Sequence, residues 1–182
     1  NYGVKNYFNS ANGITSKTYL QPEPANSPYS AKIKADINEG SGFVNYTAHC
    51  SSDGWAGPSF SIADLSRLTN TDKYGIWIGN CCQSASFNTD SFAEAALRLP
   101  KKGAVGYIGA SDYSYWDEDY WWAVGFKDIV AQPVYNPAST GVYDQLFTKA
   151  NPVSKLGQMI YVGNLAVEAS TSASKGYYWE IY

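Results

Sequence analysis

Tyr74-Gly75-Ile76-Trp77-Ile78-Gly79-Asn80-Cys81-Cys82 decides the reading of this chain: an uncharged apolar run that stops abruptly at a small polar turn carrying two adjacent cysteines. A short apolar run bounded by turn residues reads as a strand covered on both faces, and this one delivers a thiol to the end of a sheet. A second run, Gly42-Phe43-Val44-Asn45-Tyr46-Thr47-Ala48-His49, ends on the single histidine of the chain. Gly103-Ala104-Val105-Gly106-Tyr107-Ile108-Gly109 is a third and reads as a buried strand beside the central one.

Helical patterns separate these runs. Ile33 and Ile37 lie four apart within 30–39, with Gly40 beyond, which places a short helix ahead of the strand that ends at His49. Ser61-Ile62-Ala63-Asp64 opens a helix as a capping box with Asp in the place usually taken by Glu, and Ser91-Phe92-Ala93-Glu94 opens an Ala-rich one that Pro100 stops. Strand, helix, strand, helix, strand predicts a parallel sheet covered on both faces. Elsewhere, Val4, Tyr7, Phe8 and Ala11 predict a helix over about 1–11, and Pro22, Pro24 and Pro28 an extended loop. Further helices are predicted over 120–130, 141–149 and 152–170, while 177–182 takes no assignment. From Cys50 to Pro58 the chain is all turn chemistry.

With 182 residues the chain is read as one domain, residues 1–182, with a core that can sustain itself. A net charge of −3 and no basic stripe exclude a nucleic-acid partner. The apolar runs are too short to span a bilayer. The 6 Trp and 16 Tyr suggest a secreted or surface protein with aromatic-rich clefts. There is no initiator Met, and Asn1-Tyr2-Gly3-Val4-Lys5-Asn6-Tyr7-Phe8 reads as a helix already under way, so the sequence reads as a processed or excised piece. Three cysteines leave at least one thiol outside any pairing within the chain, and a disulfide scaffold is not expected.

Ligands of open α/β sheets sit outside the carboxyl ends of the strands, where the second run brings His49 and the central run a cysteine. An imidazole within reach of a thiol takes its proton and makes the thiolate, a nucleophile for acyl transfer. The plainer alternative is a buried structural cysteine and an ordinary surface histidine, and alternation does not say which of Cys81 and Cys82 would react. Zinc is disfavoured, because His49-Cys50 and Cys81-Cys82 are sequence neighbours and lack chelate spacing.

Longer motifs add a resemblance. Phe43-Val44-Asn45-Tyr46-Thr47-Ala48-His49, Leu68-Thr69-Asn70 with Lys73-Tyr74, Ile78-Gly79-Asn80-Cys81-Cys82, and Tyr107-Ile108-Gly109 followed by 114–120 resemble the catalytic domain of the gingipains, in particular the lysine-specific members. The likeness continues through 162–166 and 177–180. It implies a caspase-like α/β/α sandwich with a mostly parallel sheet, the N-terminal part of that domain lying outside this chain. It also implies a secreted or bacterial cell-surface cysteine endopeptidase that cleaves after Lys, with Arg allowed. On that resemblance Cys82 is the nucleophile, Cys81 its packed neighbour and His49 the general base and acid; the backbone N–H groups of Cys50 and Cys82 form the oxyanion hole. The specificity pocket then takes Asp119 as its acid, with Trp116, Tyr115, Thr47 and Asn80. No cofactor is required for catalysis, and structural calcium is compatible with the resemblance.

Two departures from the family pattern stand out. The residue after the histidine is Gly in the family and Cys50 here, which suggests a Cys50–Cys82 disulfide as an off-state. The family's histidine-orienting acid lies upstream of the residues given, so either a further chain of the same precursor supplies it, as an expected partner beside protein or peptide substrates that also covers an exposed sheet edge, or the sequence is a truncated piece, or Cys and His work as a dyad. Two other readings keep part of the pattern. One is a gingipain-like processing transpeptidase; the other is a catalytically inactive surface module whose Trp55, Trp116, Trp121 and Trp122 form a binding platform. Without the resemblance, Asp117, Glu118 and Asp119 read as a solvated helix start, where acids are favoured by the helix dipole.

Overall fold

The alternation of apolar runs and capped helices becomes, in a computed structural model that describes residues 1–20, 29–147 and 150–182, two separate compact units. The prolines at 22, 24 and 28 lie outside the described residues. In chain order the elements are α1 (Tyr2–Asn6), α2 (Tyr29–Gly40), β1 (Phe43–Thr47), β2 (Cys50–Ser51), β3 (Gly54–Ala56), β4 (Ser59–Ser61), α3 (Ile62–Leu65) and β5 (Gly75–Asn80). They continue with α4 (Phe92–Arg98), β6 (Ala104–Gly109), α5 (Trp116–Val124), α6 (Val142–Leu146), α7 (Leu156–Glu168) and α8 (Tyr178–Ile181).

The strand-bearing unit comprises Tyr19–Ser114 with Ile181. Its main sheet has the order β1-β5-β6, parallel throughout, so the α/β class and the central place of the Tyr74–Cys82 run are as the sequence predicts. β5, which has a neighbour on each side, is buried at every position but the half-buried Ile76; β6 alternates, and Val105 is 68% exposed. Both capping boxes are partly or wholly realised. Ser61 accepts from the Asp64 N–H while the Asp64 carboxylate accepts from the Ser61 N–H, and Ser91 accepts from the Glu94 N–H.

The Cys50–Pro58 stretch is not simply turn. It supplies β2 and β3, which pair antiparallel with each other and, through β3, with β4 as a small second sheet. Its strands are two or three residues long, below the length at which alternation can be recognised. Trp55 and Phe60 from this ribbon pack with Trp77 of β5 and Phe92 of α4, ring centroids 5.1 to 6.4 Å apart. Ile33 and Ile37 of α2, Leu65 and Leu68 complete that core. Phe92 is wholly buried among these rings. Phe92→Ala should therefore cost about 3–5 kcal/mol, read as a lowered denaturation midpoint at unchanged slope.

The helical unit comprises Asn1–Thr18, Tyr115–Glu180 and Tyr182. The predicted first helix is cut to Tyr2–Asn6, followed by one 3-10 turn over Ser10–Asn12, because the Asn9 side chain accepts from Ala11 N–H and Gly13 adopts the left-handed conformation. The helix predicted over 120–130 starts four residues earlier, at Trp116, and stops at Gly125, whose φ is 85°. α5, α6 and α7 pack together. Gly163 of α7 is required by that packing, since a Cβ there would strike the Trp122 ring; the indole N–H donates to Asn164 at 3.2 Å. Asp144, at the start of α6, accepts from Gly141 N–H and from the hydroxyls of Tyr2 and Tyr7.

Trp55 and Trp122 are buried in the cores of their own units, so they cannot belong to an aromatic binding platform. Among the described residues no helix is long and apolar enough to cross a membrane.

Candidate active site

β1 and β5 lie side by side, and their last register pair sets Thr47 against Asn80. His49 and Cys82 each follow two residues later. Parallel pairing thus brings the histidine and the thiol to the same end of two neighbouring strands, the end at which such sheets bind ligands.

His49 is presented outward by its own backbone. Its carbonyl accepts from the Tyr46 hydroxyl at 2.6 Å and from the Ala56 N–H at 3.0 Å. Tyr46 is fixed in turn by stacking on Trp55, centroids 4.7 Å apart, and its oxygen accepts from the Gly57 N–H at 3.0 Å. Burial raises the pKa of Tyr46, outweighing the opposite effect of its backbone contacts at Gly57 and Ala56, so it remains a hydroxyl that can donate. His49 is exposed.

The chain turns sharply as it leaves β5. The Cys81 N–H donates to the Gly79 carbonyl at 2.9 Å, and Gln83, directly after Cys82, takes a left-handed φ of 55° held by its N–H on the Asp112 carbonyl at 2.9 Å. A non-glycine residue in that conformation costs of order 1 kcal/mol and is common where a side chain must be aimed. The half-buried Cys82 Sγ is directed to Ser114, donating to its carbonyl at 3.5 Å and lying 3.8 Å from its hydroxyl, which is placed to donate to the sulfur. Gly79 and Gly109 leave the space that the Ser84 hydroxyl and the end of Tyr107 occupy beneath this turn. Tyr107 is half-buried, its hydroxyl accepts from the Trp55 indole N–H at 3.4 Å, and burial pushes its pKa up to about 12.

The cysteines pair differently from the expectation. Cys50 is bonded to Cys81, with Cα atoms 5.7 Å apart, and Cys82 is the free thiol; the anticipated Cys50–Cys82 disulfide is not the one formed. Cys81 is 1% exposed, its side chain turned into the core while that of Cys82 is turned out. Closing a loop across a sequence separation of 31 constrains the unfolded chain by about 4 kcal/mol in the chain-entropy account. The Cys50 Sγ also lies 2.9 Å from the Cys82 carbonyl oxygen, a contact without a proton because the sulfur is bonded.

Thr47 is exposed and Asn80 buried at the strand ends that precede His49 and Cys82. The other residues expected from the sequence to select the substrate belong to the helical unit. Tyr115 and Trp116, 47% and 59% exposed, precede and open α5. Of the three acids in its first turn only Asp117 is solvated; Glu118 and Asp119 are buried. Glu118 accepts from the Ser172 hydroxyl, and Asp119 Oδ1 accepts from Tyr178 at 2.8 Å and Tyr182 at 3.3 Å. The Tyr178 oxygen also takes the Tyr115 N–H at 2.9 Å. Burial, and then the Asp119 charge, raise the pKa of Tyr178 far above its usual value, keeping it a donor. Among the described residues no group of three or more His, Cys, Asp or Glu is placed to hold a metal ion.

Comparison with known proteins settles the family. The model of peptidase family C25 matches residues 2–181. The chain belongs to family C25. It is 38% identical over a 190-residue alignment to Lys-gingipain of Porphyromonas gingivalis and 37% identical to Lys-gingipain W83 of the same species, with all of this chain aligned in each case. A solved protease structure superposes with a TM-score of 0.86 at 37% identity over 99% of the chain. The Arg-specific cysteine proteinase gingipain R superposes at 0.63 over 82%, with 21% identity, a likeness of fold. The chain spans 11% of the length of these Lys-gingipains and 40% of the first of those solved chains. The gingipain resemblance read from the motifs is therefore a family relationship, and C25 membership gives a frame for the strand-end thiol.

Tyr46, Ser114 and Tyr178 are contacts that sequence reasoning left without a role. All three stand inside the motifs of the resemblance, where an uncharged hydroxyl carries no signal of its partner. Tyr178 meets Asp119 across 59 residues, and nothing local announces it.

Proposed function

We propose that this chain carries the nucleophile, base and specificity acid of a cysteine endopeptidase that cleaves after lysine. The observation that supports it most is the placement of the free thiol of Cys82 and the imidazole of His49 beyond the paired ends of β5 and β1, in a chain of family C25. His49 takes the Cys82 proton, and the thiolate adds to the scissile carbonyl carbon. The N–H groups of Cys50 and Cys82 stabilise the oxyanion, each donor worth about 3 kcal/mol. Collapse expels the amine, which takes the proton from the imidazolium and leaves a thioester on Cys82. Water, deprotonated by His49, then releases the acid and restores the thiol. Every proton is carried by these two side chains and water, so the cycle calls for no cofactor.

The lysine preference is assigned to Asp119 with Tyr115 and Trp116. A buried carboxylate next to exposed aromatic rings suits an alkyl stem with an ammonium tip, and the identity to Lys-gingipain supports the same choice. The Cys50–Cys81 disulfide fits an oxidising location, secreted or at the cell surface.

The test uses peptides differing only at the residue before the scissile bond. Lys peptides should be cleaved about a hundredfold faster than Ala peptides, with Arg between, and a lysyl chloromethyl ketone should add one label, mapped to Cys82 by mass spectrometry. Equal rates for Lys and Ala, or a label on another residue, would refute the assignment.

A further inference from the structure

Beyond the Thr47–Asn80 pair the ladder between β1 and β5 stops, yet both members of the dyad lie past that point. A His–Cys pair tolerates little displacement, since proton transfer and attack each need hydrogen-bond-range geometry. The bond between Cys50 and Cys81 lies in this gap. Cys50 directly follows His49, and Cys81 directly precedes Cys82, so a single covalent link ties the backbone one residue from the base to the backbone one residue from the nucleophile. It also joins the chain segments that bear the two oxyanion donors. The buried half of the link, Cys81, is 1% exposed and belongs to the same core cluster as Trp77 and Phe92, which makes it the anchored end. Cys50 is the half-buried end, on the two-residue strand β2.

We propose that the Cys50–Cys81 disulfide is a positioning element for the His49–Cys82 dyad, so that the disulfide-bonded protein is the competent form. Resting on the cysteine-peptidase reading above, this adds a redox requirement opposite in sign to that of the nucleophile. Cys82 must be a reduced thiol while its two neighbours stay oxidised. A dithiol that opens the bond transfers two electrons, leaves thiols on Cys50 and Cys81, and is itself closed to a cyclic disulfide; Cys82 is unchanged in that reaction. The two strand ends then lose their covalent tie, although the nucleophile and base are both intact.

The experiment compares the full chain with its Cys50→Ala/Cys81→Ala variant and, in parallel, titrates the wild-type protein with dithiothreitol. At each point one aliquot is alkylated to count thiols and a second, left unalkylated, is assayed on a Lys peptide. The variant should lose roughly tenfold to a hundredfold in kcat, with KM within about twofold, at a temperature well below its unfolding midpoint. Alkylation of Cys82 by iodoacetamide at neutral pH should slow in parallel, because His49 no longer promotes the thiolate. In the titration, kcat should fall as the thiol count rises from one to three. A variant that keeps its kcat and shows only a lower unfolding temperature would overturn the proposal, leaving the disulfide a stabilising tie; so would a wild-type kcat that is flat through the rise in thiols. Should wild type be inactive, or Cys82→Ala remain active, the peptidase reading itself fails and the positioning role falls with it. Activity in the wild type, none in Cys82→Ala and full kcat in the double variant would refute the positioning role alone.

Discussion

Cys82→Ala should abolish peptide hydrolysis, lowering kcat by about a millionfold, as loss of a covalent nucleophile does elsewhere. The size of the effect follows from the cysteine arrangement. Because Cys50 and Cys81 are bonded to each other, the variant has no neighbouring thiol to substitute for the missing one. The substitution removes only a half-buried sulfur and its contacts with Ser114, so the unfolding midpoint should move by no more than a few degrees. Thiol counting under non-reducing conditions provides an independent check: one titratable thiol in the wild type and none in the variant. His49→Ala should fall nearly as far, since without the base little thiolate is aimed at the substrate, and the exposed residue contributes little packing. Retention of robust activity in Cys82→Ala, with the fold intact, would displace Cys82 as nucleophile.

Asp119→Asn should lower kcat/KM for Lys peptides by roughly a hundredfold to a thousandfold while leaving the slow cleavage after uncharged residues untouched. The carboxylate is buried and its Oδ1 is held by Tyr178 and Tyr182, so it is oriented before any substrate arrives. An amide keeps the shape and an acceptor for the two hydroxyls but carries no charge for a buried ammonium. That loss is specific to a cationic side chain, which separates a specificity role from general damage to the helix. Tyr182 also stacks on Trp122 and Tyr178, so the packing behind the carboxylate survives the substitution. Unchanged kcat/KM for Lys peptides would remove Asp119 from substrate recognition.

These two results bear on residues that the sequence marks with different clarity. Cys82 lies at the end of an apolar run and His49 at the end of another, and alternation with capped helices makes the runs parallel neighbours; strand ends and the family motifs together single out the pair. Asp119 has no such local mark, because an acid in a first helical turn is usual whether or not it is buried. Its enclosure depends on Tyr178 and Tyr182, about sixty residues away in sequence, in a segment that periodicity left unassigned. The ribbon formed by β2, β3 and β4 escaped notice for a related reason. Two- and three-residue strands built on Gly and Ser, with Gly57-Pro58 between two of them, look like turns until their partners are known.

From the sequence alone come the parallel β1-β5-β6 frame, the helices that cover it, and the delivery of one thiol and one imidazole to strand ends. Local patterns of period two and 3.6 encode these. Tertiary structure alone decided which cysteines join. Disulfide choice depends on the approach of Cα atoms and on side-chain direction, and only the register of β1 against β5 places Cys50 within 5.7 Å of Cys81 and leaves Cys82 turned the other way. By the same long-range packing Tyr178 came to hold Asp119, a contact between segments that no local pattern relates.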